Sequence, residues 1–299
     1  MAVSLEEELN LFKIDFINRN IGKSPTTPNL YIGDIKTLST KQMYESPEEL
    51  AIDLIEEVDR VQKDEKYKPR TKTRFVSSTR SFLKFLKRKR KIDKLKLNSF
   101  LSSLVYEKLK EEAIPTIDYS KFEKIMSVIP SDTYTGSRDR TIFSLIYYAG
   151  ITESETINLT HSCLKEHRGN LAVEVQGKYK IRTLTLDAET TKEVKNYLQQ
   201  KKQKYKSSLT EKTLFRELLL SEEPLFLDKK GSKPICSRQP RRKFQEYTEK
   251  AGIKAELHYL RNSYIKSLVD NDKSAEEIAE STGVIRGHAK TLIKLFSKN

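Results

Sequence analysis

The sequence predicts a mainly α-helical protein of two domains, with a small antiparallel β-sheet in the second. Three observations predict this. Apolar residues recur at helical spacing, as in Phe75, Phe82, Leu83, Phe85 and Leu86, the period that turns one helix face toward a core. One region alone alternates apolar and polar residues: LAVEVQ at 171–176, then IRTLTL at 181–186 across a turn containing Gly177, which is the period of a β-hairpin. At 299 residues the chain is long enough for two domains. The polar stretch EEAIPTIDYS, with helix-breaking Pro115, separates 1–115 from 116–299.

Residues 4–20 read as an amphipathic helix. Residues 21–45 have few apolar positions and read as a loop or partly ordered segment. Ser46-Pro47-Glu48-Glu49 is a helix start, with Ser as the cap, Pro at the first helical position and Glu three after the cap; that helix should run to Lys63. A second covers 71–91 and a third begins near Asn98. In the second domain a helix spans 119–128. Another is capped by Ser137 or Asp139 and runs to Ala149, with Gly150 just past its end. After the hairpin come a helix at 188–202, the charged linker KKQKYKSSLTEK, a short apolar segment PLFL, and mostly helices to the end.

The net charge is +14, and its placement narrows the function. From Lys66 to Lys96 there are 14 Lys or Arg and one acid, Asp93, so this segment carries +13 and the rest of the chain is close to neutral. Basic residues on one face of an apolar-cored helix suit a nucleic-acid backbone. The cations expected to meet DNA here are Arg70, Lys72, Arg74, Arg80, Lys84, Lys87, Arg88, Lys89, Arg90 and Lys91. No run of 18 apolar residues occurs, so neither a membrane span nor a membrane partner is expected. The acidic N-terminus lacks a signal-peptide pattern. Cys163 and Cys236 are the only cysteines, so a disulfide framework and a metal site are not expected, and a cytoplasmic, nucleoid-associated protein is.

Four motifs recur in a fixed order. Gly150-Ile151-Thr152-Glu153-Ser154-Glu155 is followed by Leu159. The hairpin carries Gly177-Lys178-Tyr179-Lys180-Ile181-Arg182. Ala251-Gly252-Ile253 leads to His258-Tyr259-Leu260-Arg261, which sets an imidazole and a guanidinium one helical turn apart. Gly287-His288 precedes Thr291 and Phe296. This set resembles the tyrosine recombinases, or phage integrases, over about residues 120–296. The resemblance implies a helical DNA-binding domain joined to a catalytic-type domain in a C-shaped clamp around duplex DNA. It implies strand cleavage by a tyrosine hydroxyl, with two arginines holding the phosphate oxygens, a hairpin lysine as acid, and two histidines. Carried onto this chain, Lys178 is the acid, His258 the first histidine, Arg261 the retained arginine and His288 the second histidine. The family's interval from His258, however, leads to Val284 instead of His288. Lys180, Arg182, Arg241 and Arg242 join the expected DNA contacts.

Two positions depart from the family. Thr152 stands where the family has its first arginine, and Phe296 where it has its nucleophile. Losing one preorganised donor costs ~10²–10³ in rate, and phenylalanine has no hydroxyl to form a phosphotyrosyl bond. The expectation is therefore a double-stranded DNA-binding protein that no longer cuts, serving to organise or regulate a mobile element, with no cofactor and no small-molecule substrate. Two alternatives stand beside it: an active integrase whose nucleophile is displaced (Tyr247, Tyr259 and Tyr264 lie nearby) or engineered away, and a basic architectural nucleic-acid binder. Family members assemble on DNA, but only three residues follow Phe296, so a monomer in solution is expected. Without an arginine at 152, Glu155 needs a lysine, water or a raised pKa.

Overall fold

Amphipathic helices build the first of two units, Met1–Glu111, while the second, Glu112–Asn299, adds a sheet. The computed structural model describes residues 2–19, 26–106, 113–167, 170–177, 180–205 and 222–297. The first unit contains α1 (Leu5–Arg19), α2 (Thr26–Leu38), α3 (Pro47–Lys63), α4 (Pro69–Arg88) and α5 (Lys94–Ser103). Two short strands, β1 (Val3–Ser4) and β2 (Met43–Tyr44), pair antiparallel. Ser46 caps α3 by accepting from the Glu49 amide, as its sequence requires. On α4 the apolar stripe is buried, and Phe82 and Phe85 lie 5.4 and 5.5 Å from the ring of Phe12.

The stretch 21–45, expected as a loop or partly ordered segment, contains a helix and a strand. In α2 the fully buried Ile35 and Leu38 are one turn apart and face the core. Pro28 sits in the first turn, where its absent N–H removes no helical hydrogen bond. So few apolar positions hide the period, yet burial of two of them against α4 holds the helix. The third helix begins at Lys94, four residues before the expected Asn98, because Asp93 accepts from the Lys96 amide and caps it.

The second unit contains α6 (Tyr119–Ser127), α7 (Tyr134–Tyr148) and the short α8 (Glu153–Ile157). A three-stranded sheet follows, of β3 (Leu164–His167), β4 (Asn170–Gln176) and β5 (Ile181–Thr185), then α9 (Ala188–Tyr205). The last four helices are α10 (Arg238–Lys250), α11 (Leu257–Asp270), α12 (Ala275–Thr282) and α13 (Arg286–Phe296). The predicted hairpin is β4–β5, with Val173 opposite Leu184 and Val175 opposite Arg182; β3 joins its other edge and was not foreseen. Helix α7 is buried on most sides, packed by α9 and α11. Its cap is Thr133, not Ser137 or Asp139. Asp139 lies inside the helix, salt-bridged to the fully buried Arg138 and accepting from the Tyr247 hydroxyl.

Under the sheet, the Lys201 ammonium donates to His161 Nε2 at 2.7 Å and to the Leu225 carbonyl at 3.1 Å. Burial and the neighbouring ammonium push His161 down to about 3. A histidine held neutral in the fold but charged when unfolded makes stability fall as pH drops from 6.5 toward 3, by at most about 1.4 kcal/mol per pH unit. His161→Gln keeps an acceptor for Lys201 and removes the titration. Thermal melts between pH 7 and 4 should therefore show a shallower acid slope for the variant than for the wild type.

Candidate phosphate-binding site

Two of the four motifs, those around Thr152 and around His258 and Arg261, meet at a cavity of about 540 Å³. Its walls are Ile146 of α7 and the beginnings of three further helices. Thr152, Glu153 and Ser154 come from α8, Ser237, Arg238 and Arg241 from α10, and Leu257, His258, Arg261 and Asn262 from α11. The starts of α10 and α11 have no side-chain cap, and their open amide groups and positive dipole ends favour an anion.

Arg261 is held from behind. Its guanidinium donates to the Gly150 carbonyl and, at 2.7 Å, to the Thr282 carbonyl, and lies 4.0 Å from Glu155. Burial pushes it down to about 10, well above neutrality, so it remains a cation. Gly150 is required beside it by Tyr264: its φ is +61°, and an added Cβ would lie 2.0 Å from the ring of Tyr264. His258, one turn earlier, is exposed, with Nδ1 3.4 Å from the Glu256 carboxylate and its ring edge-on to Tyr259.

Thr152 has become a structural cap. Its hydroxyl accepts from the Glu155 amide, and the Glu155 carboxylate accepts in turn from the Thr152 amide, a reciprocal pair that starts α8. Arg182 takes the Glu155 carboxylate with both terminal nitrogens at 2.8 Å, and its Nε donates to the Ser281 carbonyl. Thus Glu155 is not raised. Arg182 and the Thr152 donors outweigh burial and hold it below the usual carboxylate range. Arg182, expected at a DNA surface, is instead buried: its side chain is 4% exposed, and its guanidinium covers Gly283, whose φ of +73° ends α12. Nothing in the sequence reveals this partner, because the hairpin register that aims Arg182 at Glu155 is tertiary.

Other expected site residues fall elsewhere. Lys178 lies outside the described residues. His288 stands exposed in the first turn of α13 and does not line the cavity. Gly287 before it is helical with open space around it, whereas Gly283 is the glycine the backbone requires, and Val284 follows it. Phe296 is buried beside Ile265 and Leu292, away from the cavity lining. Tyr264 is packed on Gly150, and Tyr247 is bound to Asp139; burial raises both hydroxyl pKa values, which disfavours a nucleophile. Glu153, Arg238 and Asn262 line the cavity without having been singled out in the sequence.

In the first unit the basic segment is partly spent on internal contacts. Arg74 makes a forked pair with the buried Asp34 of α2, which Ser78 also contacts. Arg80 donates to the Leu101 and Leu104 carbonyls that end α5. Arg88 pairs with Asp15, Lys91 with Glu8, and Lys72 donates to the Gln62 carbonyl. Arg74 and Arg80 therefore serve the fold, because a buried carboxylate and open helix-end carbonyls need donors. Arg70, Lys84, Lys87, Lys89 and Arg90 are exposed, with no ion-pair partner among the described residues. In the second unit Lys180 is exposed and Arg242 lies 3.7 Å from Glu246.

Residues 115–289 match the phage integrase family. The chain belongs to this family. Among curated tyrosine recombinases it is 27% identical to XerA of Pyrococcus furiosus over 185 residues, 59% of this chain and 57% of that protein. It is 28% identical to XerC of Natranaerobius thermophilus over 225 residues, 74% of this chain and 70% of that one. The match therefore spans less than two thirds of the XerA relative. In fold it is similar to a lambda integrase dimer bound to a COC′ core site, with TM-score 0.64 and 12% identity, covering 97% of this chain and 95% of that one. It is also similar to XerH recombinase bound to palindromic difH substrate, with TM-score 0.63 and 15% identity, covering 92% and 78%. The mainly helical tyrosine-recombinase fold with its small antiparallel sheets is thus established for this chain. Among the described residues no helix is long and apolar enough to cross a membrane, and no three His, Cys, Asp or Glu cluster to hold a metal.

Proposed function

We propose that this tyrosine-recombinase relative binds duplex DNA and grips a phosphodiester in the cavity around Arg261 without cleaving the strand. One observation carries the reading: Thr152, His258 and Arg261 line one cavity, while Phe296 is buried in a separate apolar cluster. A phosphate in the cavity would meet a guanidinium cation and an imidazole, but no hydroxyl from α13. The exposed cations of α4 and the turn after it, Lys84, Lys87, Lys89 and Arg90, supply a second, sequence-independent contact with the backbone. Such a protein would organise or regulate DNA at a mobile element.

Incubation with a nicked suicide substrate should give no covalent adduct, while gel shifts with the intact duplex should show binding. Phe296→Tyr should also give none, because the added hydroxyl enters an apolar cluster beside Leu292 and Ile265. Burying that hydroxyl unpaired should cost about 1–3 kcal/mol of stability. A stable adduct with the unaltered chain would sink the non-cleaving reading. An adduct with Phe296→Tyr alone would mean that this helix end reaches the phosphate and that only the hydroxyl had been lost.

A further inference from the structure

The cavity carries more positive charge than the family motifs explain. Besides Arg261, Arg238 and Arg241 from the first turn of α10 line the same cavity. Arg241 is not loose there. Its Nε donates to the carboxylate of Glu153, the residue directly after Thr152. Only Nε is used; among the described residues Nη1 and Nη2 have no hydrogen-bond partner, and the side chain is 75% exposed at the cavity. Glu153 itself is 15% exposed, and its second oxygen, Oε1, is buried with no hydrogen-bond partner among the described residues. A half-satisfied carboxylate at this wall calls for an explanation. Holding a guanidinium beside position 152 supplies one.

We propose that Arg241, positioned by Glu153, is the second phosphate-binding guanidinium of this site and supplies from α10 the charge that Thr152 does not. The ligand is one phosphodiester of duplex DNA, held between Arg241 and Arg261. Arg241 meets it with its Nη1 and Nη2 donors, because Nε is committed to Glu153. Glu153 is a positioning residue, since it touches Arg241 and not the phosphate. The cap role of Thr152 fits this arrangement: with the cation delivered from another helix, position 152 is released to start α8.

The inference rests on the cavity being the DNA phosphate site, and the test separates the two. Duplex affinity is measured by fluorescence anisotropy across a salt series. The proteins are the full-length wild type, Arg241→Ala, Glu153→Gln, Arg261→Ala, and Lys124→Ala as a control for loss of one exposed cation outside the cavity. Arg241→Ala should weaken binding about tenfold or more and flatten the plot of log affinity against log salt by about one. Glu153→Gln should weaken binding by a smaller factor, although it removes a negative charge. Bulk electrostatics alone would make that variant bind more tightly. The double variant Thr152→Arg/Arg241→Ala should recover most of the loss, while Thr152→Arg alone should gain little. If Arg261→Ala weakens binding but Arg241→Ala behaves like Lys124→Ala, the inference fails and the cavity reading survives. It fails likewise if Glu153→Gln binds more tightly, or if Thr152→Arg adds the same factor in both backgrounds. If the wild type binds no duplex, or Arg261→Ala changes nothing, the cavity reading fails and takes the inference with it.

Discussion

Arg261→Ala is expected to weaken duplex binding by about a hundredfold, a loss in the lower part of the 2–5 kcal/mol range for truncating a desolvated, hydrogen-bonded charge. The side chain is mostly buried and fixed by the Gly150 and Thr282 carbonyls, so no ordering of the guanidinium remains to be done when a phosphate arrives. Burial strengthens its field at the cavity, and even near pH 10 it loses its proton only in part. Arg261→Lys keeps a charge but cannot serve both carbonyls and a phosphate with one ammonium, so it should recover only part of the affinity. Anisotropy titrations at several salt concentrations check this: Arg261→Ala should also lower the salt slope by about one. A loss of thermal stability with unchanged affinity would mean that Arg261 serves the fold alone.

Glu155→Ala should have the largest effect on stability. Glu155 accepts from Thr152 and from both terminal nitrogens of Arg182, with Arg261 nearby, so α8, the hairpin, α11 and the end of α12 meet at one carboxylate. Its removal leaves the buried Arg182 without a counter-charge, at a cost of about 3–5 kcal/mol. That is a large part of the 5–15 kcal/mol that a domain typically has. Urea unfolding followed by circular dichroism should show the loss in the midpoint. Removing both partners, as Glu155→Leu with Arg182→Met, should cost less than Glu155→Ala alone, because no unpaired charge remains. The carboxylate pKa is depressed in the fold, so its contribution is fully present above the unfolded value of 4.5 and is lost as pH falls through the lower, folded value. A Glu155→Ala protein as stable as the wild type would remove the ionic cluster from the account of the fold.

Where strong local signals exist, the sequence is legible. Ser46-Pro47 starts α3 where its chemistry says, the alternating residues 171–176 and 181–185 form β4–β5, and Gly150 ends α7 with positive φ. Where local signals are weak, packing decides. Helix α2 has too few apolar residues to show a period, and its Asp34, unread as a core residue, takes Arg74 away from the surface. Strand β3 has no alternation of its own and exists because β4 offers an edge. In the site, the His258–Arg261 spacing was readable because one helix carries both residues. The likeness of Gly287-His288 to the family's motif drew attention to His288, yet the glycine that the backbone needs is Gly283.

The sequence by itself determined that this chain is a mostly helical tyrosine-recombinase relative, that its charge is gathered into one N-terminal segment, and that Thr152 and Phe296 stand where the resemblance leads one to expect an arginine and a tyrosine. These are properties of residue types and their order. Only the tertiary structure decided what those residues do. It made Thr152 a helix cap, turned Arg182 inward to Glu155, buried Phe296 apart from the cavity, and brought Arg241 to the cavity that Arg261 also lines. The physical reason is that a charge is cheap on the surface and costly inside. Which arginine is spent on a buried carboxylate and which is left for a phosphate depends on partners from distant parts of the chain, and no local pattern records them.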